Sequence, residues 1–573
     1  MAGQPPLSPW MGSDYYTPCW DSGVRDDAWL LASRMEKSEE PTPGVYWKPV
    51  PDSPIRMLDH WDNMDGTIER GYAGRSLFFE DGKFREDWQL LAQYADLLAS
   101  IRINAVSLNN VNVRDKARWL ITNKHGELDK VAKIAEIFAE RGIATYLSVN
   151  FAAPKVIGGL DTSDPLDARV ETFWRERVEE IYSKVEHFGG FVVKADAEGE
   201  PGPYQYGRTH ADGANLFARL LAPHGGLVFW RAFVYNCEQD WRDRTTDRAK
   251  AAWENFKPLD GFFEPNVVLQ VKNGPLDFQI KEPVSPLLLG LESTRTACEF
   301  QASQEYLGQQ QHAVFLAPLW KEVLDSELCA SALVCVANTG LDESWTGHKL
   351  AQANLYAFGR LAWDSSLTPQ QIAREWVQLT FPDASDRARE AIERICAESR
   401  GAYRDYTTNL GLCFMCRPGF HYGVDPDGYE YDRWGTYHFA DRDGIGVDRT
   451  VATGSGYTAQ YPPALAALYE DVSTCPDDVV LYFHHLPYAH RLQSGKSIAQ
   501  HVYDAHFSGA QKAEDFRRTW AEIAGELGSA RVFDTLARFD EQLRSATEWR
   551  DVINTYFYRH SGIADEHGRV IYP

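Results

Sequence analysis

Three acidic side chains, Glu198, Asp277 and Glu305, each follow a short apolar run of the sequence that ends in polar residues. If the runs end at a common edge, the three carboxyl groups approach one point from different sides. A carboxylic acid on one side of a glycosidic bond and a carboxylate on the other hydrolyse that bond. A pair about 6.5–9.5 Å apart admits a water and inverts the anomeric centre, whereas a pair about 5–5.5 Å apart retains it. The sequence indicates this chemistry but not the separation.

Glu198 is the candidate general acid. It lies in a Gly- and Pro-rich segment, and Tyr204 and Tyr206 follow it within that segment. Aromatic walls partly desolvate a carboxyl group, which raises its pKa and suits it to donate a proton. Asp196 and Glu200 compete for the role, and a solvated loop glutamate is the alternative interpretation.

Asp277 and Glu305 follow the sixth and seventh apolar runs, so we expect the two side chains to be neighbours. Side by side they could activate a water opposite the acid. Asp277 could instead cap a helix, or pair with Lys272 or Lys281.

Three cations, Lys194, Arg231 and Lys272, stand at the ends of successive runs. Arginine offers a planar fork that fits a carboxylate, and lysines add charge around it, so the three together would select a uronic acid. They could equally pair with the protein's own carboxylates, because buried cations need partners.

The remaining candidates are less specific. Asn109 and Asn110 end another run, and we expect them to bind substrate. Trp61 and Trp345 could stack on a sugar or belong to the core. His210 and His348 are interpreted as structural, and the lone Cys413–Cys416 pair with His421 nearby is weak evidence for zinc, so no metal site is predicted.

Eight short apolar runs alternate with helix-like stretches and carry these residues at their ends. This pattern predicts an α/β fold, a closed parallel (β/α)8 TIM barrel in which the strand ends meet at one catalytic mouth. The runs are 55–58, 105–108, 144–149, 191–193, 227–230, 267–271, 297–301 and 333–337.

Amphipathic patterns predict barrel helices at 86–100, 128–141, 168–187 and 212–221. After residue 361 the strand signal ends, and helices are predicted at 368–380, 385–409, 510–527 and 530–558. We therefore expect three parts: an irregular N-terminal arm (1–54), a catalytic barrel (55–365) and a C-terminal mainly α-helical domain (366–573). The arm should contain one short helix at 26–37, and the C-terminal domain could form a homodimer.

Composition narrows the class of protein. The chain has 573 residues, 44% of them apolar, and a net charge of −24 that disfavours nucleic acid and anionic membranes as partners. The first residues lack a signal-peptide pattern and no apolar stretch is long enough to span a bilayer, so we expect a soluble, cytoplasmic protein. Nine cysteines, mostly in apolar runs, indicate reduced buried thiols.

Several long runs closely resemble the α-glucuronidases of glycoside hydrolase family 67, and the resemblance extends from about residue 55 to the C-terminus. The runs are "LDHWDNMDGTIERGYAGRS" from Leu58, "INAVSLNNVN" from Ile103, "KADAEGEPGP" from Lys194, "THADGAN" from Thr209, "RAFVYNCEQDWRDRTTDRA" from Arg231, "NVVLQVKNGPLDFQIKEPVSP" from Asn266, "QEYLGQ" from Gln304, "GHKLAQANLYAFGRLAW" from Gly347 and "FHHLPY" from Phe483.

The resemblance implies an inverting enzyme without a cofactor that releases glucuronic acid, or its 4-O-methyl ether, from the non-reducing-end xylose of short xylo-oligosaccharides. It implies that Glu198 is the general acid and that Asp277 and Glu305 activate the water. It also implies that Lys194, Arg231 and Lys272 hold the uronate carboxylate. Which of Asp277 and Glu305 takes the proton stays open.

Two features depart from the family. Members usually carry a β-rich domain before the "HWDN" motif, where this sequence has about 55 residues, and Phe78–Phe79 stand where we expect a tryptophan. A related barrel glycosidase for another acidic sugar, or a non-catalytic carbohydrate-binding protein, are the alternative functions.

Overall fold

Eight parallel strands close into a barrel in the computed structural model, which describes residues 45–197, 201–232, 247–326, 328, 330–337, 339–430, 437–527 and 531–572. Each strand pairs with its neighbours along the chain, and the first pairs with the last. The predicted (β/α)8 class is confirmed. The strands are β1 (Ile55–Asp59), β2 (Ala105–Ser107), β3 (Ala144–Val149), β4 (Phe188–Val193), β5 (Leu227–Arg231), β6 (Val267–Lys272), β7 (Arg295–Gln301) and β8 (Ala330–Val336).

Two strands begin three residues earlier than predicted, for a local reason in each case. Gly189 and Gly190 interrupt the apolar pattern at the start of β4, and Ser331 does so in β8. Gly190 has φ +133°, and a Cβ there would lie 1.9 Å from the Leu227 carbonyl oxygen of β5. Only glycine allows the two strands to approach this closely. Gly190 therefore makes the start of β4 possible, although it interrupts the apolar pattern by which the strand would be predicted.

The barrel interior changes from apolar to polar along most of the strands. Met57, Ala105, Phe229, Val268 and Ala297 fill the lower part with other apolar side chains. Because side chains alternate across a strand, residues two positions further on share the same face. That next layer contains the buried polar side chains Asp59, Ser107, Ser148, Arg231, Gln270 and Glu299. The mouth of the barrel therefore rests on a polar floor.

Helices surround the barrel and form the C-terminal region. The predicted helix at 212–221 begins at His210, because Thr209 and Asp212 form a capping box that starts the helix two residues earlier. Around the barrel lie α1 (Trp88–Ser100), α2 (Glu127–Ala139), α3 (Ala153–Val156), α4 (Ala168–Lys184), α5 (His210–Leu221), α6 (Ala251–Phe256), α7 (Pro286–Gly290), α8 (Ala317–Leu324) and α9 (Lys349–Trp363).

The C-terminal region is mainly helical, as predicted. Its helices are α10 (Pro369–Thr380), α11 (Asp386–Tyr406), α12 (Pro463–Glu470), α13 (Val480–Phe483), α14 (Ile498–Leu527) and α15 (Arg531–Ser561). The long helices α14 and α15 pack on each other, and α11 packs on α14. The predicted helix at 26–37 lies outside the described residues, and the boundaries 1–54, 55–365 and 366–573 stay predictions. Among the helices of the described segments, none has the length and apolar character needed to cross a membrane.

A buried ion pair joins the barrel to the C-terminal region. Arg449 donates from Nε to Asp247 Oδ2 at 2.6 Å and from Nη2 to Oδ1 at 3.1 Å, and Asp247 lies between β5 and α6. Both side chains are at most 5% exposed. Arg449 Nη1 also donates to the Tyr482 carbonyl oxygen. The loop after β5 is therefore fixed to the region that follows α11.

We expect Arg449→Met to lower the free energy of unfolding by about 3–5 kcal/mol, because it leaves the Asp247 carboxylate buried without its cation. Chemical unfolding measures this effect. The double variant with Asp247→Asn is the control and should recover part of the loss. Equal losses in the single and double variants would show that the ion pair is not what stabilises this contact.

Candidate active site

A cavity of about 290 Å³ opens at the carboxyl ends of the strands. The structure brings six of the predicted site residues to its wall: Trp61, Lys194, Arg231, Lys272, Asp277 and Glu305. All six are at most 6% exposed. The barrel thus assembles two carboxylates, three cations and one aromatic ring that are widely separated in sequence.

Asp277 is held in place by its own loop and by two donors. Glu282 accepts hydrogen bonds from the backbone N–H groups of Leu276, Asp277 and Gln279 at 2.6, 3.1 and 2.8 Å, which closes the turn after β6. Lys272 donates to Asp277 Oδ1, and the Tyr306 hydroxyl donates to Oδ2 at 3.0 Å. Of the alternatives for Asp277, the pairing with Lys272 is therefore observed, and each carboxylate oxygen keeps capacity for a further donor.

Lys281, the other expected partner of Asp277, is engaged elsewhere. Its Nζ lies 3.0 Å from Glu322 and 2.8 Å from Asp478. The two lysines on either side of Asp277 therefore have different functions, because Lys272 lines the cavity whereas Lys281 forms ion pairs away from Asp277.

Glu305 sits among cationic and amide donors. Arg70 Nε donates to Oε1 at 2.5 Å, His421 Nδ1 lies 2.7 Å from the same oxygen, and Gln301 Nε2 donates to Oε2 at 2.9 Å. Burial alone would raise the pKa of Glu305, but Arg70 and His421 outweigh it and hold this pKa well below its usual range. Glu305 is therefore an ionised carboxylate at the cavity wall.

Each of the three cations is held by a neighbouring side chain. Arg231 forms a two-bond pair with Glu299, from Nε at 3.1 Å and from Nη2 at 2.6 Å, and both residues are buried. Lys194 donates to Asn112 at 2.7 Å. Burial is the main cause of a lowered pKa at Lys272; Arg231 lowers it further, and Asp277 opposes the shift. The Nε edge of the Arg231 fork faces Glu299, so a carboxylate in the cavity would meet the guanidinium from its other side.

Trp61 lies beside this cluster. The Arg231 guanidinium carbon is 5.4 Å from the centre of its ring, and Trp61 Nε1 lies 3.5 Å from Asp59. The ring therefore belongs both to the cavity wall and to the polar floor.

Three predicted binding residues are not in the cavity wall. Asn109 is buried and exchanges hydrogen bonds with the Ser148 backbone, which ties the end of β2 to β3. Asn110 donates to Glu69, a wall residue, at 2.8 Å. Trp345 is 2% exposed and packs 5.4 Å from Tyr94. The first two support the site from behind, and Trp345 belongs to the core.

Of the three candidates for the general acid, the structure describes only Asp196. Glu198, Glu200 and Asn338, which ends the eighth run, lie outside the described residues. Asp196 is described, and its carboxylate accepts the Tyr204 backbone N–H at 3.1 Å. Burial raises the pKa of Asp196 to about 6, yet it is not among the residues of the cavity wall. Asp196 thus shapes the loop after β4.

Phe78 and Phe79 are not among the residues of the cavity wall. Both are buried, and Phe78 packs 5.1 Å from His60. This departure from the family pattern affects the core of the barrel edge. His210, interpreted as structural, accepts the Trp230 Nε1–H at 3.2 Å.

Residues that sequence reasoning missed complete the wall. Arg70, Glu69 and Asn112 come from the loops after β1 and β2, and Arg248 precedes α6. A second group comes from the region after α11: Phe414, Pro418, Gly419, His421, Tyr429 and Tyr437. The aromatic composition of residues 413–461 signalled this loop, but nothing in the sequence showed that it folds back over the barrel.

The described residues contain no group of three or more His, Cys, Asp or Glu side chains arranged to hold a metal ion. Cys413 and Cys416 are buried free thiols.

Two family models match the chain. The "Glycosyl hydrolase family 67 middle domain" matches residues 35–354, and the "Glycosyl hydrolase family 67 C-terminus" matches residues 346–570. The chain belongs to glycoside hydrolase family 67. The barrel corresponds to the middle-domain model and the helical region to the C-terminal model. The cavity lies between the barrel and the loop after α11, which belongs to the helical region.

Curated relatives are similar over most of the chain. "Alpha-glucuronidase A" of Emericella nidulans is 46% identical over 551 residues, which cover 91% of this chain and 64% of that protein. "Alpha-glucuronidase A" of Aspergillus tubingensis is 45% identical and "Probable alpha-glucuronidase A" of Aspergillus clavatus is 44% identical, each covering 92% of this chain and 64% of the relative. This family 67 chain therefore spans 64% of the length of these relatives.

Proposed function

We propose that the protein is an inverting α-glucuronidase that hydrolyses the α-1,2 bond between (4-O-methyl-)D-glucuronic acid and the non-reducing-end xylose of short xylo-oligosaccharides. The observation that carries the proposal is the joint placement of Lys194, Arg231 and Lys272 with Asp277 and Glu305 around one cavity. The names of the curated relatives and the family support it. An unexported location and self-association through the C-terminal helices stay predictions.

In this proposal the cation trio holds the uronate carboxylate. The trio is buried and anchored by neutral or acidic partners, so little conformational freedom is lost when the anion binds. Trp61, beside Arg231, is placed to pack against the sugar ring. A neutral hexose offers these three cations no carboxylate to bind, so the cavity should bind it less tightly than a uronic acid.

The hydrolytic step requires one acid and one water-activating side. Asp277 and Glu305 direct the water at the anomeric carbon, and the water's proton passes to this pair while Glu198 protonates the departing xylose oxygen. The described part of the site supports the water side, where both carboxylates carry donors that fix their direction. The assignment of Glu198 rests on the sequence alone, through its position after the fourth apolar run and the resemblance of its motif.

The test is the release of sugar from a xylo-oligosaccharide that carries one glucuronic acid at its non-reducing end. We expect free glucuronic acid and an undecorated oligosaccharide. The matched control carries glucose in place of glucuronic acid and should not be cleaved. Binding without release would favour a carbohydrate-binding protein, and release only from other uronides would favour a glycosidase of different specificity.

Asp59 gives the proposed site a pH dependence. It lies at 0% exposure in the polar floor, where burial and then the Glu299 charge raise its pKa to about 7, partly offset by Arg231. Below this pH Asp59 is a neutral acid. Above it, a new negative charge forms close to Arg231 and opposes an anionic ligand.

We therefore expect the dissociation constant of free D-glucuronate to rise about 3- to 10-fold between about pH 6 and pH 8, as one added charge at several ångströms would produce. Calorimetric titration across this range measures it. Asp59→Asn is neutral at every pH and should flatten the profile. The same rise in Asp59→Asn would assign the effect to another group, such as Lys272.

A further inference from the structure

His421 is the contact by which the C-terminal region reaches the water-activating pair. It lies in the loop that follows α11, it is about 120 residues from Glu305 in sequence, and its side chain is 10% exposed at the cavity wall. Its Nδ1 lies 2.7 Å from Glu305 Oε1. Within the described part of this loop, His421 alone forms an ion pair with Glu305.

Packing fixes the His421 ring in this position. The imidazole stacks on the Tyr306 ring with centroids 4.5 Å apart and planes at 23°. Tyr306 is the neighbour of Glu305 in sequence, and its hydroxyl holds Asp277. The backbone of His421 has φ +56°, a left-handed conformation that costs free energy for a residue with a side chain. The fold thus accepts local strain to hold this ring against Tyr306 and the Glu305 carboxylate.

The loop itself is held on both flanks. Tyr422, the next residue, donates to Glu541 of α15 and contacts His312 at 3.0 Å. Gln309 donates to the Phe420 carbonyl oxygen. Arg417 pairs with Glu548 of α15 at 3.1 Å. The position of His421 is therefore set by the C-terminal helices and by the loop after β7.

We propose that His421 is a positioning residue for the reaction, which acts with Arg70 to fix Glu305 Oε1, so that Oε2 is presented to the incoming water. This inference rests on the proposed function and deepens it. It assigns a role to the C-terminal region, which would complete the water-activating side of a site built on the barrel.

The consequence for catalysis concerns the second oxygen of Glu305. Arg70 Nε donates to Oε1, and His421 Nδ1 lies 2.7 Å from the same oxygen, so both nitrogen atoms crowd this side of the carboxylate. Gln301 takes one lone pair of Oε2, which leaves one acceptor direction for a water. Without His421 the carboxylate can rotate, and a small misplacement of a reacting group can cost on the order of 10²-fold in rate.

Several charged or titratable groups lie around Glu305, and each bears on how its protonation depends on pH. They are Arg70 from the loop after β1, Tyr306 and Asp277 from the barrel, and His421, Cys416 and Tyr429 from the C-terminal region. Of these, Arg70 and His421 are the two that lower the pKa of Glu305 by their charge. Removing His421 should raise that pKa and leave the Arg70 contribution in place.

The experiment compares wild type, His421→Ala and His421→Asn on the glucuronate-bearing oligosaccharide across pH. We expect His421→Ala to lower kcat about 10- to 100-fold with KM changed less than about 3-fold. The acidic limb of its kcat profile should move to higher pH, because Glu305 then takes up a proton more readily. His421→Asn, whose amide can replace Nδ1–H, should recover kcat to within about 10-fold of wild type. An exposed histidine, His567, provides the control variant His567→Ala, with no expected change.

The outcomes separate the inference from the proposed function. A wild-type protein that releases no glucuronic acid overturns the proposed function and this inference with it. An active wild type with an unchanged kcat or an unmoved acidic limb in His421→Ala overturns the inference alone. So does a loss in His421→Ala that His421→Asn does not restore. If His421→Ala is unstable by thermal unfolding, His421→Asn decides through its own acidic limb, which should move in the same direction by a smaller amount.

Discussion

Asp277→Asn is expected to lower kcat on the glucuronate-bearing oligosaccharide by about 10²–10⁴-fold, the usual worth of a general base. The substitution keeps the shape of the side chain and its hydrogen bond with Tyr306, but removes the negative charge beside Lys272 and one of the two candidate proton acceptors. KM should change much less, because the proposal assigns binding of the uronate mainly to Lys194, Arg231 and Lys272. Steady-state kinetics separates the two parameters.

Asp478→Asn is the matched control for this prediction. Asp478 also pairs with a lysine, Lys281, at 2.8 Å, but it is 43% exposed and lies outside the cavity wall. Its kcat should stay within about twofold of wild type, as expected for an exposed ion pair. A large fall in kcat in both variants would point to general damage to the fold, and an unchanged kcat in Asp277→Asn would remove Asp277 from the water-activating side.

Glu198→Ala is expected to lose about 10²–10⁴-fold in kcat on the same oligosaccharide, because xylose is a poor leaving group that requires a proton. An aryl glucuronide with an acidic phenol needs little protonation. On that substrate the same variant should lose less than about 10-fold. Comparing kcat/KM on the two substrates measures the difference.

Glu200→Ala tests the competing assignment within the same segment of the sequence. We expect it to affect both substrates alike and only slightly. If Glu200→Ala shows the leaving-group dependence and Glu198→Ala does not, the acid is Glu200. Equal losses on both substrates in Glu198→Ala would also reject Glu198 as the proton donor.

The barrel could be predicted from sequence because its strands are buried on both faces and so appear as short apolar runs. The polar residues at their ends were equally visible, and Lys194, Arg231, Lys272, Asp277 and Glu305 do meet in one cavity. Asn109 also follows an apolar run, but its side chain donates a hydrogen bond to β3 and does not reach the cavity wall. This contact depends on where the neighbouring strand ends, which the sequence around Asn109 does not show.

Sequence reasoning could not find the partners that come from distant segments. Glu299 lies inside β7 and appears as one charge in an apolar run, yet it anchors Arg231. Arg70 and His421 lie in loops, and loop directions depend on packing against α15 and on backbone conformations that no periodicity reports. The position of Trp345 after a strand is compatible with a sugar-stacking or a core role, and in the structure its ring packs beside Tyr94.

The central claim is that a water held by Asp277 and Glu305 attacks the anomeric carbon opposite the departing xylose in a single displacement. Proton NMR of the reaction on a glucuronate-bearing xylo-oligosaccharide tests it, because the first glucuronic acid released is seen before its anomers equilibrate. The account predicts that the β-anomer appears first from the α-linked substrate. Appearance of the α-anomer first would contradict it.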